Sequence, residues 1–347
     1  MNHSVSFHLR QNNLTSIPKA FGTLKKLAYL SLSGNPLMHL DSDVMINIGH
    51  SLHVFNFDMG QFNSWPHQLQ YLRVLRILII GYIPFNIIPD NSFHGLENTL
   101  RYLEIHDSKL AEIPHAISIL RNLHSFNFSS NYNLDEINSR FTESSSTNHR
   151  LQVSHMIFTY NQVEMFPALQ NMFQDVFTID ANNNGFIIMN GDSLITSNFT
   201  VSELNLNRNN FSRIPYAVNM LTSLRRLNIA YNYINSVDDP DISKLENLES
   251  LNLKGNPLMY ISHKSFIHNL KLALVDISET RLHQIPAAIM SLTNLNYLAI
   301  DNTPVVCTCD MSYLKPWNQT GVISDTSSCF LSTEKIKDYL EQFLIYC

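Results

Sequence analysis

Residues 201–215 have the sequence VSELNLNRNNFSRIP, and two similar segments follow, LRRLNIAYNYINSV from Leu224 and LESLNLKGNPLMYI from Leu248. All three fit the template L-x-x-L-x-L-x-x-N-x-L, as does LAYLSLSGNPLMHL from Leu27. Along the chain the template finds thirteen starting positions, at 4, 27, 52, 75, 100, 123, 153, 174, 201, 224, 248, 272 and 295. Their spacing averages about 24 residues, which is typical of stacked structural repeats.

The template is that of the leucine-rich repeat, and this resemblance covers nearly the whole chain. It implies an α/β horseshoe solenoid with a curved parallel sheet on its concave face. In each copy the apolar residues of a short strand point inward and the residues between them point outward. We predict about thirteen repeats over residues 1–305 and a cysteine-rich C-terminal cap over residues 306–347.

The ninth position of the template predicts an asparagine ladder, because an amide side chain can both donate to and accept from backbone groups that a turn leaves unpaired. The ladder residues are Asn12, Asn35, Asn131, Asn161, Asn209, Asn232 and Asn256. We expect interruptions where Asn is replaced, at Gly60, Ile83, Ser108, Thr280 and Thr303. The copy near Gln174 fits poorly and would place Asn182 in the ladder. An insertion at 140–150, RFTESSSTNHR, predicts a polar loop.

Composition excludes several classes of protein. Hydrophobic residues are 44% and charged residues 15%, against a usual charged fraction of about 25%, which argues against disorder and against a coiled coil. The net charge is −6 with no run of Lys or Arg, so we predict neither a nucleic-acid surface nor an anionic-membrane surface. The most apolar stretch, from Ile77 to Ile88, is about half the length of a membrane span.

The four cysteines are confined to the C-terminal end, as Cys307, Cys309, Cys329 and Cys347. Four cysteines allow three pairings, of which one between the near neighbours Cys307 and Cys309 is the least suitable. The alternative is a zinc site, for which C-x-C followed by two distant single cysteines is poor spacing.

The segment PVVCTCDMSYLKPW, with two further cysteines after it, resembles the C-terminal cap of extracellular animal leucine-rich-repeat proteins. The resemblance implies disulfides between Cys307 and Cys329 and between Cys309 and Cys347. Such a cap would cover the leucines of the last repeat. We expect the cover to come from one helix face and two further apolar residues, namely Ile336, Leu340, Phe343 and Leu344 with Leu314 and Trp317.

Two disulfides predict an oxidising compartment, so we expect a secreted or cell-surface glycoprotein. The given sequence has no signal peptide and no N-terminal cap before its first repeat, and we expect that these, and any membrane anchor, are missing from it. The candidate glycosylation sites are Asn13, Asn127, Asn198, Asn210 and Asn318. Composition alone would produce a similar number of such triplets.

The sequence predicts no catalytic residues, no cofactor and no metal site, and therefore not an enzyme. Nucleophile elbows, phosphate-binding loops, dinucleotide fingerprints and H-E-x-x-H are absent from it. Asp180, Asn182, Asn184 and Gly185 match the first half of a calcium loop. However, Gly191 stands where that loop needs a bidentate Glu.

Outward-pointing strand residues offer a better candidate site, for a protein partner. An apolar pair beside an arginine and a tyrosine resembles the centre of a protein contact. The candidate residues are Ile77, Ile79, Arg101, Tyr102, Glu104 and His106. Alternatively, a neighbouring loop or a dimer partner covers the apolar pair.

We therefore predict a non-enzymatic extracellular recognition module, as a receptor or adhesion ectodomain, that binds a protein ligand or co-receptor through its concave face. The alternative is a secreted matrix protein, or a carrier or scaffold subunit that stabilises another chain.

Overall fold

The computed structural model describes residues 4–134, 151–169, 173–191, 200–317 and 320–347. The chain divides into two compact units. Unit 1 comprises Met1–Val163 and Leu169–Phe177, and unit 2 comprises Glu164–Ala168 and Thr178–Cys347. This division does not test the boundary between residues 305 and 306, which stays a prediction. The insertion at 140–150 lies outside the described residues.

Each unit is a leucine-rich-repeat solenoid built on parallel strands. The strands of unit 1 are β1 (Val5–His8), β2 (Leu27–Ser31), β3 (Val54–Asp58), β4 (Ile77–Gly81), β5 (Tyr102–His106), β6 (Ser125–Ser129), β7 (Leu151–Gln152), β8 (His155–Ile157) and β9 (Phe173–Gln174). Those of unit 2 are β10 (Thr178–Asp180), β11 (Glu203–Asn205), β12 (Arg226–Asn228), β13 (Ser236–Val237), β14 (Ser250–Asn252), β15 (Tyr260–Ile261), β16 (Leu274–Asp276) and β17 (Tyr297–Ala299).

Among the described residues, one strand per repeat forms the principal sheet of each unit, with seven strands in unit 1 (β1 to β6 and β8) and six in unit 2 (β10, β11, β12, β14, β16 and β17). The remaining strands form two parallel pairs, β7 with β9 and β13 with β15. The register aligns Leu78 with Leu103 and Leu204 with Leu227. These leucines are fully or almost fully buried, so each solenoid has one buried face and one outward face of its sheet.

The segments opposite the strands follow the Ile-Pro pattern of the sequence. Short 3-10 helices begin directly after Pro18, Pro66, Pro114, Pro215 and Pro286, and they span Lys19–Thr23, His67–Tyr71, His115–Ile119, Tyr216–Met220 and Ala287–Ser291. The proline fixes its own φ, and its carbonyl accepts the first hydrogen bond of the turn. A repeat without this proline forms helix α1 (Ser42–Ile48), which is capped by the Asp41 carboxylate.

The asparagine ladder is present and satisfies backbone groups of successive repeats. The Asn232 amide donates to the carbonyls of Leu206 and Ile229 at 3.0 Å each, and its oxygen accepts from the Phe211 N–H at 3.1 Å. Asn256 makes the same three contacts one repeat later. Such contacts are needed because buried backbone groups without partners are costly.

Two expectations about the ladder were wrong. It continues through Thr280 and Thr303, because both hydroxyls donate to the Ile277 carbonyl, at 2.8 and 3.0 Å. The Ser108 hydroxyl likewise donates to the Asn131 side chain.

The second error concerns the poorly fitting copy, which begins at residue 176 and not at 174. Ile179 is aligned with Leu204, and the Asn184 amide, not that of Asn182, donates to the Ala181 carbonyl at 3.0 Å. The template was placed two residues too early in this copy. Residue 174 lies in β9, which is not a strand of the principal sheet.

The residue before the ladder position has a left-handed backbone in nearly every repeat. These residues are Gln11, Gly34, Tyr82, Asp107, Ser130, Tyr160, Asn183, Arg208, Tyr231, Gly255, Glu279 and Asn302. Glycine is required at Gly255, since an added Cβ would lie 2.4 Å from the Tyr231 ring. The Tyr231 side chain extends across this repeat, and its hydroxyl donates to the Glu279 carboxylate at 3.2 Å. The side chain is otherwise variable while the conformation is constant.

The C-terminal segment contains disulfides Cys307–Cys329 and Cys309–Cys347, with Cα atoms 5.6 and 5.1 Å apart. This is the pairing that the resemblance implies. The Ser324 N–H donates to the carbonyl of Leu298 in β17 at 3.0 Å, so the segment pairs with the last strand of the sheet and covers it.

Most of the apolar residues expected to cover the last repeat are buried, including Ile336 and Leu340 of helix α2 (Ile336–Gln342). Phe343 was wrongly included, because it lies after the helix, is half exposed and stacks on Tyr339 with ring centroids 6.1 Å apart. Within the described ranges, no helix is long and apolar enough to cross a bilayer.

Candidate protein-binding face

The outward side chains of β3 to β6 form three rows across unit 1, which we call the unit 1 face. The first row is Val54, Ile77, Tyr102 and Ser125; the second is Asn56, Ile79, Glu104 and Asn127; the third is Asp58, Gly81, His106 and Ser129. The parallel register places row neighbours about 4.8 Å apart. All six candidate residues named from the sequence lie on this face or directly beside it.

An open depression of about 580 Å³ lies at one end of the unit 1 face. It is lined by Arg76, Ile77, Arg101, Tyr102, Asn122, His124 and Ser125. Three of the predicted residues, Ile77, Arg101 and Tyr102, thus come together in it. Ile79 and Glu104 lie one row away, and His106 lies at the end of β5, where its ring contacts the Asp107 carboxylate at 2.8 Å.

Ile77 and Ile79 are half-buried, not exposed as the sequence suggested. Strand register accounts for the difference: Ile77 lies between Val54 and Tyr102, and Ile79 lies between Asn56 and Glu104. Side chains of adjacent strands in the sheet therefore cover a large part of each isoleucine. The apolar floor of the face is preformed.

Tyr102 and Glu104 form a tight pair along β5. The Tyr102 hydroxyl donates to the Glu104 carboxylate at 2.6 Å. Burial, and then the hydrogen bond to and negative charge of Glu104, raise the pKa of Tyr102 to about 12. Tyr102 is therefore a neutral phenol at physiological pH, with its ring fixed beside Ile77.

Four residues directly before the first row follow one another up the sheet: His53, Arg76, Arg101 and His124. The Arg76 carbonyl accepts from the Arg101 N–H at 2.8 Å, and the Arg101 carbonyl accepts from the His124 N–H at 2.8 Å. Both arginine side chains are exposed. In the described part of unit 1, no Lys or Arg has an ion pair with a carboxylate.

The third row contains buried acceptors. Asp58 is 8% exposed and accepts from the Gly34 N–H at 2.6 Å through one oxygen, while its other oxygen has no partner among the described residues. Asn56 Oδ1 and Ser31 Oγ are likewise buried without a described partner. Gly81 keeps this place open, because an added Cβ would lie 2.6 Å from the His106 ring and 2.8 Å from Asp58.

On the corresponding face of unit 2 the second row is internally satisfied, whereas Asn207 Oδ1 at the third-row position is buried without a described partner. Asn228 Oδ1 accepts from the Ala230 N–H at 3.2 Å, and Asn252 Oδ1 accepts from the Lys254 N–H at 3.0 Å. In the same way, Asn205 Oδ1 and Asp276 Oδ1 each accept from the N–H of the residue two positions later in the chain. These outward polar residues therefore stabilise the ends of their strands.

The cations of the unit 2 face are paired as well. Arg225 contacts Glu249 at 3.4 Å, Lys254 contacts Glu279 at 3.2 Å, and Arg226 contacts Glu203. Arg225 has the same template position as Arg76 and Arg101, directly before the strand. Of these three arginines, Arg225 has a carboxylate neighbour, and Arg76 and Arg101 have none among the described residues.

Among the other predicted residues, the glycosylation candidate Asn127 lies in the second row of the unit 1 face, whereas Asn13 and Asn210 lie outside it. Asn13 and Asn210 are exposed and Asn127 is half-buried, whereas Asn198 and Asn318 lie outside the described residues. As for metals, no group of three or more His, Cys, Asp or Glu side chains in the described ranges could hold an ion.

The sequence did not single out Asn122, His124 or Ser125 as members of one site, although all line the depression. A signal was available, since positively charged or histidine residues occupy the second template position in four consecutive repeats, at His53, Arg76, Arg101 and His124.

Comparison with known proteins supports the fold. A leucine-rich-repeat family model matches residues 199–258. The chain is 24% identical to the rat volume-regulated anion channel subunit LRRC8D over 65% of its length and 26% of that protein. It is 22% identical to the adenylate cyclase of Schizosaccharomyces pombe over 87% of its length and 16% of that protein. The chain thus spans about a quarter or less of these relatives.

Solved structures give the same fold. The leucine-rich-repeat protein LIC12759 of Leptospira interrogans has a TM-score of 0.63 at 22% identity, covering 88% of this chain and 74% of that one. A chain of the LRIM1/APL1C complex has a TM-score of 0.62 at 18% identity, covering 85% and 52%. A chain of the Latrophilin 3, Unc5D and FLRT2 complex has a TM-score of 0.60 at 17% identity, covering 91% and 88%. Leucine-rich-repeat proteins are typically non-enzymatic and generally mediate protein–protein recognition.

Proposed function

We propose that this chain is a non-enzymatic extracellular recognition module that binds a protein ligand or co-receptor through the unit 1 face. One observation carries the proposal: this face combines a preformed apolar floor with charged and polar groups that the described structure leaves unpaired. Aromatic, aliphatic and Arg side chains supply most of the binding energy at protein contacts. The face is on the side of the sheet that the repeats predict to be concave.

An extracellular location is supported by the two disulfides of the C-terminal segment, because structural disulfides persist in oxidising compartments. It agrees with the resemblance of that segment to the cap of extracellular animal proteins. Structural relatives include chains from the LRIM1/APL1C complex and the Toll–Spatzle complex. Asn13 and Asn210 are the candidate glycosylation sites with the most accessible side chains among those described.

The second candidate function is that of a matrix protein, or of a carrier or scaffold subunit for another chain. The internally satisfied second row of unit 2 favours it, since those side chains serve the stability of the repeats. The name of the relative LRRC8D, a channel subunit, also fits a subunit role.

The test is a binding screen of the secreted protein against an array of purified ectodomains, using two matched double variants. Ile77→Ala/Tyr102→Ala removes an aliphatic–tyrosine pair that is in register on unit 1. Leu274→Ala/Tyr297→Ala removes the equivalent pair at the same template positions on unit 2. We expect the unit 1 variant to weaken binding about tenfold and the unit 2 variant to leave it unchanged.

The opposite pattern, or equal losses from both variants, would overturn the assignment of the partner to unit 1. An array on which no protein binds, together with co-purification of a second chain in fixed stoichiometry, would favour the scaffold function.

A further inference from the structure

We infer that Arg76 and Arg101 form an anion-recognising subsite, and that the protein partner supplies a carboxylate side chain next to an apolar one. This inference rests on the proposed function and deepens it by assigning a chemistry to the partner. It begins from two adjacent cations that nothing in the described structure neutralises.

The two arginines are held side by side. Their strands are hydrogen-bonded neighbours, and the Arg76 carbonyl accepts from both the Arg101 and Tyr102 N–H groups, at 2.8 and 3.0 Å. Like charges on adjacent strands are destabilising. At the same template position in unit 2, Arg225 has Glu249 at 3.4 Å. The pair in unit 1 has no such carboxylate partner among the described residues, so a bound anion would offset the repulsion between the two charges.

The other titratable groups around the depression form no ion pair with either arginine in the described structure. The Glu104 carboxylate already accepts from the Tyr102 hydroxyl at 2.6 Å. Tyr102 remains protonated and carries no charge. On the other side, His124 Nδ1 lies 3.3 Å from the Ser154 hydroxyl and its ring packs edge-on against His155, with centroids 5.6 Å apart.

The shape of the site specifies more than charge. Guanidinium groups bind carboxylates through two parallel hydrogen bonds. Below them the depression is floored by Ile77 and the Tyr102 ring, which favour an aliphatic or aromatic side chain.

The same surroundings disfavour a long polyanion such as a nucleic acid or a sulfated polysaccharide. The unit 1 face also carries Asp58 and Glu104, with Asp107 directly after β5, and the whole chain has a net charge of −6. A polyanion would meet these carboxylates, whereas one acidic side chain would meet only the arginines.

The experiment uses two blocked, dye-labelled peptides, EEFEE and QQFQQ, titrated with the full chain. We expect EEFEE to bind saturably, and QQFQQ to bind about tenfold more weakly. EEFEE binding should also weaken as salt is raised, because exposed charges are screened. Arg76→Gln/Arg101→Gln should reduce EEFEE affinity about tenfold, whereas the matched variant Arg225→Gln should not change it. Unchanged circular dichroism would verify that the variants fold.

Equal binding of EEFEE and QQFQQ, no saturable binding, or equal effects of the two sets of variants would overturn the inference. So would heparin binding that is lost in the double variant while EEFEE does not bind. The result is separable from the proposed function. If an ectodomain partner no longer bound Ile77→Ala/Tyr102→Ala but still bound Arg76→Gln/Arg101→Gln, the anion subsite would be wrong and the recognition function would remain supported.

Discussion

The two units use the outward face of the same kind of sheet differently. In unit 2 the second row of side chains folds back onto the backbone, as Asn228 and Asn252 do, and the arginines contact neighbouring glutamates. In unit 1 the same positions carry Ile79 and Asn127, and the arginines have no described carboxylate partner. An outward position in a repeat is therefore not equivalent to a binding position, because the hydrogen-bond partners decide which it is.

The largest expected effect concerns the ladder, which both units share. Asn232→Ala in unit 2 and Asn131→Ala in unit 1 should each lower the free energy of unfolding by about 2–4 kcal/mol, since both leave buried backbone groups unsatisfied. Chemical denaturation of each variant measures the effect. If only one unit were sensitive, the ladder itself, and not the outward face, would distinguish the units.

The next largest effect on stability compares the second-row asparagines of the two units. Asn228→Ala removes the acceptor of the Ala230 N–H and should cost about 1 kcal/mol. Asn127→Ala, at the same template position in unit 1, removes an oxygen that has no described partner and a half-buried side-chain hydrogen bond to Tyr102, and should cost only about 0.5 kcal/mol. Equal losses in thermal unfolding would show that Asn127 is structural too, and the contrast between the faces would disappear.

A smaller effect is expected from the arginines. Arg225→Gln removes an exposed ion pair with Glu249 and should lower stability by about 0.5 kcal/mol at low salt. Arg101→Gln removes one of two positive charges that precede neighbouring strands, without breaking an ion pair, and should leave stability equal or raise it by about 0.3 kcal/mol. Both differences should shrink in high salt. A stability loss from Arg101→Gln would mean that this arginine has a structural partner.

The finest test is the ionisation of Tyr102. Its pKa of about 12 in the folded chain, against 10.0 in the unfolded chain, means that the unfolded phenol loses its proton first as the pH rises. The stability that Tyr102 contributes is thus present below pH 10 and is lost between about pH 10 and 12. Ultraviolet difference titration against Tyr102→Phe would isolate this phenol.

The matched control is Glu104→Gln, which keeps an acceptor for the Tyr102 hydroxyl but removes the negative charge. It should move the pKa of Tyr102 back toward 10.0. No movement would mean that burial alone sets the value.

The fold was predictable because periodicity fixes it: Leu78, Leu103 and Leu204 are buried as the template requires. What the template could not give was hydrogen-bond chemistry at variable positions. Thr280 and Thr303 replace Asn because a hydroxyl reaches the same carbonyl, and the shift from Asn182 to Asn184 depends on strand pairing. Whether Arg76 or Arg225 has a glutamate neighbour depends on residues one repeat away.

The left-handed residue before each ladder position bears on how such a chain can diversify. The repeat imposes one backbone conformation there, yet the position holds residues as different as Gln11, Asp107, Arg208 and Tyr231. These residues can therefore be substituted without a change of fold. Glycine is needed where a neighbouring residue leaves no room for a Cβ, as at Gly255 and Gly34. A library randomised at these positions would produce a repertoire of surfaces on one invariant frame.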